Sequence, residues 1–126
     1  MTLPVTDNIT SLLGTFLDVQ SRRAEVVAGN LANADTPGYV ARELDFDDFL
    51  REAAAQSLAP NRTDKRELAQ PRVLDQEPTT IGIDGNTVDA GREMATLAEA
   101  GTKYLEGTQL LQMRLRTLRM AIREGK

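Results

Sequence analysis

The run Asp84-Gly-Asn-Thr-Val-Asp89 holds the residues best suited to chemistry: two carboxylates and an amide, spaced as at the start of a calcium-binding loop. Such a loop needs oxygen donors at alternate places, a glycine at the sixth and a bidentate glutamate at the twelfth. Here the fifth place is Val88, the sixth is Asp89 and the twelfth is Ala95. An ion would lack its tight turn and its strongest ligand, so the run reads as a turn ahead of a capped helix. Asp45, Asp47 and Asp48 form a second acidic group. Paired carboxylates do acid–base work where a pocket pulls their proton affinities apart; with no histidine and no apolar pocket in the pattern, a solvated helix start fits better. Arg114, Arg116, Arg119, Arg123 and Lys126 are suited to touching phosphate, but no aromatics are interleaved among them. The chain has a net charge of −4 and a pI of about 4.8, so nucleic acid is not expected as a partner. It has no histidine and no cysteine. The commonest general base, the commonest metal ligand and any thiol chemistry are thereby removed. No catalytic residues, metal site or cofactor are predicted, and the chain is not expected to be an enzyme.

The elements around these residues are mostly helical. A first helix is predicted from Thr6 or Asp7, either of which can cap it, with Pro4 ahead of it. Leu13, Leu17, Ala24, Val27, Leu31 and Ala34 recur at helical steps, and Ile9, Leu12, Phe16, Val19 and Val26 form a second stripe beside them. That apolar face is wider than a two-helix seam requires. Pro37 disfavours helical geometry at Thr36, and Pro37-Gly38 fits the centre of a type II turn. Asn33 and Asp35 suit a helix end, where their side chains bond nearby backbone.

A short amphipathic helix is predicted within 43–57, with Phe46, Phe49, Leu50, Ala53 and Ala54 on one face and Asp45 as its cap. From Leu58 to Pro78 the periodicity is lost, and an exposed loop is expected. Arg72–Asp75 and Thr79–Ile83 have the composition of short strands. The last helix carries the clearest pattern. Met94, Leu97, Gly101, Tyr104, Thr108, Leu111, Leu115, Leu118 and Ile122 alternate by three and four, a heptad seam capped by Asp89. Its closing arginines match the negative end of the helix dipole.

The expected fold is mainly α: long N- and C-terminal helices in an antiparallel coiled-coil hairpin, with a short helix and an irregular, partly β middle. Its parts are 1–38, the first helix and turn; 39–83, an outward middle; and 84–126, the heptad helix. Together they make one structural unit. Aromatics are only 4% of the chain, which is thin for a core. Burying an apolar side chain is worth about 1.5–3 kcal/mol, against about 1–2 kcal/mol per residue for ordering the backbone. Two such helices alone are marginal, so the chain is expected to order on assembly. Met1–Asp7 has neither a basic stretch nor an apolar run, so no cleaved secretory signal is expected.

Asn30-Leu-Ala-Asn-Ala-Asp-Thr-Pro-Gly-Tyr39 resembles the N-terminal signature of bacterial flagellar rod and hook proteins, with its helix, Asn-x-Ala-Asn turn and Gly-aromatic pair. With Ala41–Phe46 and Asp84–Asp89 included, nearly the whole chain is similar to proximal rod members of that family. Gly29 and Leu31 depart from the Ser and Ile common there, and Gly101 from an Asn. The resemblance implies a structural subunit exported by the flagellar type III apparatus. It would stack into the rod of the basal body, in the periplasmic space, with no membrane insertion. The implied partners are other copies, other proximal and distal rod subunits, the rod–ring adaptor protein and the export gate. Asn30, Asn33, Asp35, Pro37, Gly38, Tyr39, Asp84, Gly85, Asn86 and Asp89 would form the assembly and turn motif. Leu13, Phe16, Leu17, Val27 and Leu31 on the first helix, and Leu97, Tyr104, Leu111, Leu115, Leu118 and Ile122 on the last, would form the assembly seam. A cytoplasmic coiled-coil adaptor or secretion chaperone is the rival reading; it explains the heptads but not the two turn motifs.

Overall fold

A computed structural model describes residues 4–58 and 70–125 of the 126-residue chain. The elements are α1 (Pro4–Ala32), β1 (Arg42–Leu44), α2 (Asp47–Leu58), β2 (Val73–Asp75) and α3 (Ala90–Glu124). α1 and α3 lie antiparallel: Asn30 meets Glu93, Arg23 meets Glu99, and Phe16 and Leu17 meet Gly107. At 35 residues α3 is about 50 Å long. The long helical hairpin is therefore as the periodicity predicts.

Three boundaries differ from the sequence reading. α1 begins at Pro4, not at Thr6 or Asp7, because proline's fixed φ and missing N–H suit the first helical position. α2 opens with the bond from Leu50 N to Phe46 O (3.0 Å), so Phe46, not Asp45, precedes the helix. Thr79–Ile83 is no strand; Gly82 N bonds Asn86 O (2.8 Å) and the segment turns. The β2 segment does form, and pairs with β1, which the composition did not signal. The register is Arg42↔Asp75, Glu43↔Leu74 and Leu44↔Val73. Residues 59–69 of the predicted loop lie outside the described residues.

The core is small. Val19 and Val27 of α1, Ala41 and Leu44 of the returning chain, Ala53 of α2 and Ala100 of α3 are its buried apolar members. Gln20 is buried with them, and neither atom of its amide has a hydrogen-bond partner, a cost that the contact carries. Beside the core, Arg23 Nη2 and Lys103 Nζ both reach Glu99, at 3.3 and 2.7 Å. Both cations also stand over the Phe46 ring, 5.5 and 5.7 Å from its centroid. The Lys103 bond first, and then the Arg23 charge, hold the Glu99 carboxyl below the ordinary carboxylate range. The group is half exposed, so the pair adds little stability.

The heptad seam does not sit where an intramolecular coiled coil would put it. The residues of α3 buried against the rest of the chain are Glu93, Ala100 and Gly107. Each lies one place before a predicted core position (Met94, Gly101, Thr108), which is about 100° around the helix. Leu97, Leu111 and Leu118 are half-buried at the edge of the contact. Met94 (64% exposed), Tyr104, Leu115 (40%) and Ile122 (69%) face outward. On α1, Val27 is buried and Leu13, Phe16, Leu17 and Leu31 are half-buried. Of the surplus α1 stripe only Ile9 is exposed; Leu12, Phe16 and Val26 are partly covered. The physical reason is close approach. α3 sets its smallest residues against α1, and a Cβ at Gly107 would stand 2.9 Å from Leu17 Cδ2 and 3.1 Å from Phe16 Cδ1. The larger side chains of the heptad are thereby turned away from α1.

Gly107→Ala is expected to be nearly neutral, because about 1 kcal/mol of helix propensity offsets the shift of two side-chain ends. Gly107→Val is expected to cost about 1–3 kcal/mol through overpacking. Chemical unfolding of both variants checks this; equal stability of the Val variant would mean that the helices do not approach so closely.

Candidate functional site

The residues of the two turn motifs meet at the end of the hairpin where α1 stops and α3 starts. Thr36-Pro37-Gly38-Tyr39 closes with Tyr39 N bonded to Thr36 O (3.3 Å), and Gly38 takes φ +71°, as its place in a type II turn requires. Asn33 Nδ2 bonds back to Gly29 O (2.8 Å), while Thr36 Oγ1 donates to Asn33 Oδ1 (3.2 Å). The second turn stacks on the first. Gly38 N donates to Asp84 O (2.9 Å), Thr87 N to Tyr39 O (3.0 Å) and Ala41 N to Thr87 Oγ1 (2.8 Å). Gly85, at φ +79°, lies beside Gly38: a Cβ built there would stand 3.7 Å from Gly38 Cα.

Two buried asparagines hold the layers together. Asn86 Nδ2 donates to the carbonyls of Asn33 (2.9 Å), Ala34 (3.0 Å) and Thr36 (2.8 Å). These include carbonyls that the ending helix leaves without partners, so a side chain 50 residues on caps α1. Asn86 Oδ1 accepts from Val88 N (2.7 Å), and Asp84 Oδ1 accepts from Asn86 N (3.1 Å). The oxygens that a calcium loop would offer are thus committed to the turn. Among the described residues no group of three metal-ligating side chains gathers.

Asn30, wholly buried, is the centre. Its Nδ2 donates to Arg42 O (2.7 Å) and to Glu93 Oε2 (2.9 Å). Its Oδ1 accepts from Arg42 N (2.9 Å) and from the Tyr39 hydroxyl (3.3 Å). One amide therefore ties the end of α1, the returning strand and the first turn of α3. Asp89 caps α3 by accepting from Arg92 N (3.1 Å), as predicted, and Arg92 Nη1 donates to Thr79 Oγ1 (2.8 Å). Of the predicted motif residues, Asp35 and Pro37 are exposed and make none of these bonds. The sequence reading missed Thr87 and Glu93. The place of Glu93 seven residues before Ala100 and fourteen before Gly107 is the signal that puts it on the buried face.

Residues 17–39, the second half of α1 and the first turn, match the family described as flagella basal body rod protein. The chain is similar along most of its length to several flagellar basal body rod proteins FlgB. It is 31% identical to that of Yersinia enterocolitica over 122 residues, covering 86% of this chain and 89% of the relative. The Aeromonas hydrophila protein is 32% identical over 123 residues, with 85% and 86% covered. The chain belongs to the flagellar basal body rod protein family. The Salmonella typhimurium rod protein is also 30% identical over 122 residues, covering 86% and 88%. The stretch of this rod-family chain that matches the family carries Asn30, Asn33, Pro37, Gly38 and Tyr39, the N-terminal half of the junction.

For a rod-family chain so joined, Gly38→Val is expected to cost about 1–3 kcal/mol. A Cβ built there meets nothing within 4 Å among the described residues, so backbone strain is the main effect. Gly38→Asn is expected to cost much less, since asparagine visits positive φ. Thermal melting of the pair checks the turn; equal loss in both would assign the damage to lost space and not to φ.

Proposed function

We propose that this chain is a structural, non-catalytic subunit of the flagellar rod, placed in its proximal part. Its hairpin forms part of the rod's inner wall, and neighbouring subunits cover the free side of α3. Family membership supports the rod; the observation that carries the assembly role is the outward-facing stripe of Met94, Leu115 and Ile122. Contiguous exposed apolar residues mark interaction surfaces, and each that is covered is worth about 1.5–3 kcal/mol. No helix among the described residues is long and apolar enough to cross a membrane. The assembly seam is accordingly shared: Leu97, Leu111 and Leu118 lean on α1, and the outward members meet the next subunit. Tight junction turns and two long helices make the subunit stiff along its axis, which suits the transmission of torque. Other rod subunits, the rod–ring adaptor and the export gate are the proposed neighbours, with type III export to the periplasmic rod as the route.

Cell fractionation tests the reading. An epitope-tagged chain should sediment with purified basal bodies. Recovery only from the cytosol would favour the coiled-coil adaptor or chaperone, for which the comparisons offer nothing.

A further inference from the structure

Five residues of α3 recur in steps of seven: Met94, Gly101, Thr108, Leu115 and Ile122. Each such step turns a straight helix by only about 20°, so the five form one slowly winding row. Thr108 is half-buried and the other four are exposed. The rest of the chain leaves the row clear. Ala100 and Gly107, which are buried, each lie about 100° around the helix from it. Glu99 and Lys103, on the side that meets Phe46, stand two places before and after Gly101, across the helix from it. A Cβ at Gly101 would meet nothing within 4 Å among the described residues, so the row has an open notch.

The sizes in the row are complementary to their own reverse. Laid antiparallel on a second copy and centred on Thr108, Leu115 of each chain stands over the Gly101 notch of the other, and Met94 meets Ile122. Laid parallel in register, glycine meets glycine, and the gap forfeits contacts on both sides. Charge separates the two arrangements as well. Arg116, Arg119 and Arg123 are exposed near the end of α3. A parallel pair would set two such clusters side by side, and juxtaposed like charges oppose association. In the antiparallel pair the two copies of Arg119, each eleven residues past Thr108, stand about 33 Å apart. That is well beyond the screening length of about 8 Å at physiological salt.

We infer that free copies of this chain pair through the row, antiparallel, about a two-fold axis at Thr108. The contact is isologous and closed, so it does not propagate. A single helix row makes a small interface, and pairing at micromolar concentrations is expected. The pair covers the same Met94, Leu115 and Ile122 that a rod neighbour is proposed to cover. It therefore competes with assembly for that surface, a consequence that rests on the rod reading while the pairing itself does not.

The chain has no cysteine, so single cysteines report contacts without background. On mild oxidation, Thr108→Cys in the full chain should give a disulfide-linked dimer. An equimolar mixture of Met94→Cys and Ile122→Cys should give mainly the mixed dimer. Ile122→Cys alone, with its two copies about 42 Å apart in the pair, should link at least tenfold more slowly than Thr108→Cys. So should Glu106→Cys, which lies exposed across the helix from Thr108 and reports random collision. Adding Gly101→Leu to Thr108→Cys fills the notch and should slow linking at least tenfold, with the circular dichroism of the single variant retained. Self-linking of Ile122→Cys as fast as that of Thr108→Cys would show parallel or random contact and overturn the inference. Sedimentation of the unsubstituted chain as a monomer at high micromolar concentration would also overturn it. The rod reading fails separately, by a chain that never sediments with basal bodies, whatever the cysteines show.

Discussion

Leu115→Asp should abolish motility while leaving the helicity of the free chain equal to that of the unsubstituted one. Leu115 is 40% exposed and lies on the side of α3 turned from α1, so the substitution removes little intramolecular packing. Surface changes of this kind stay within about 0.5 kcal/mol. In an assembled wall the same position would be covered, and a carboxylate there would be buried without a partner. Breaking such a contact costs several kcal/mol, and each 1.4 kcal/mol is tenfold in affinity. Every subunit of the wall would carry the defect. Swimming assays and circular dichroism together read the result. Loss of motility with loss of helicity would instead place Leu115 in the chain's own core. A fully motile variant would remove the stripe from assembly altogether.

Asn30→Ala should be strongly destabilising, by about 3 kcal/mol. It would leave Glu93 Oε2, in a buried setting, and the Arg42 N–H and carbonyl, in a part-buried one, without their present partner. Each such group costs about 1–3 kcal/mol when it finds no substitute, and the figure allows for water reaching some of them. Against a total of about 5–15 kcal/mol for a folded domain, that is a large share. Asn30→Asp is nearly isosteric but should be no better. It keeps the acceptor for Arg42 N, loses both donors and sets a second carboxylate against Glu93. Urea unfolding of the two variants measures the effect. If Asp were tolerated and Ala not, shape would be the role of Asn30 and the donor pair would be irrelevant.

Much of this was legible in the chain. Three-and-four spacing over Met94–Ile122 is a direct consequence of helical geometry, and it fixed α3 closely. Pro37-Gly38 imposed its turn by local sterics alone, and Asp89 capped α3 as its side-chain oxygen allows. What the pattern did not reveal was the direction of the seam. Periodicity shows that apolar residues share a face; it does not say which neighbour that face meets. Gly107 and Ala100 decided that, because small residues let backbones approach, and they appear in a sequence only as gaps in a hydrophobic stripe. β1 was hidden for a different reason. Arg42-Glu-Leu44 is not apolar in alternation, and the side chain that holds its Arg42 backbone, Asn30, comes from α1. The partners of Asn30 and Asn86 lie up to 63 residues away, beyond what spacing can show.

Basal bodies purified from cells that make this chain, imaged by electron cryomicroscopy at side-chain resolution, test the central claim most directly. The account predicts subunits in helical array, with Met94, Leu115 and Ile122 of each α3 covered by a neighbouring rod subunit. A rod in which that stripe faces open solvent, or lies against the subunit's own α1, would contradict it.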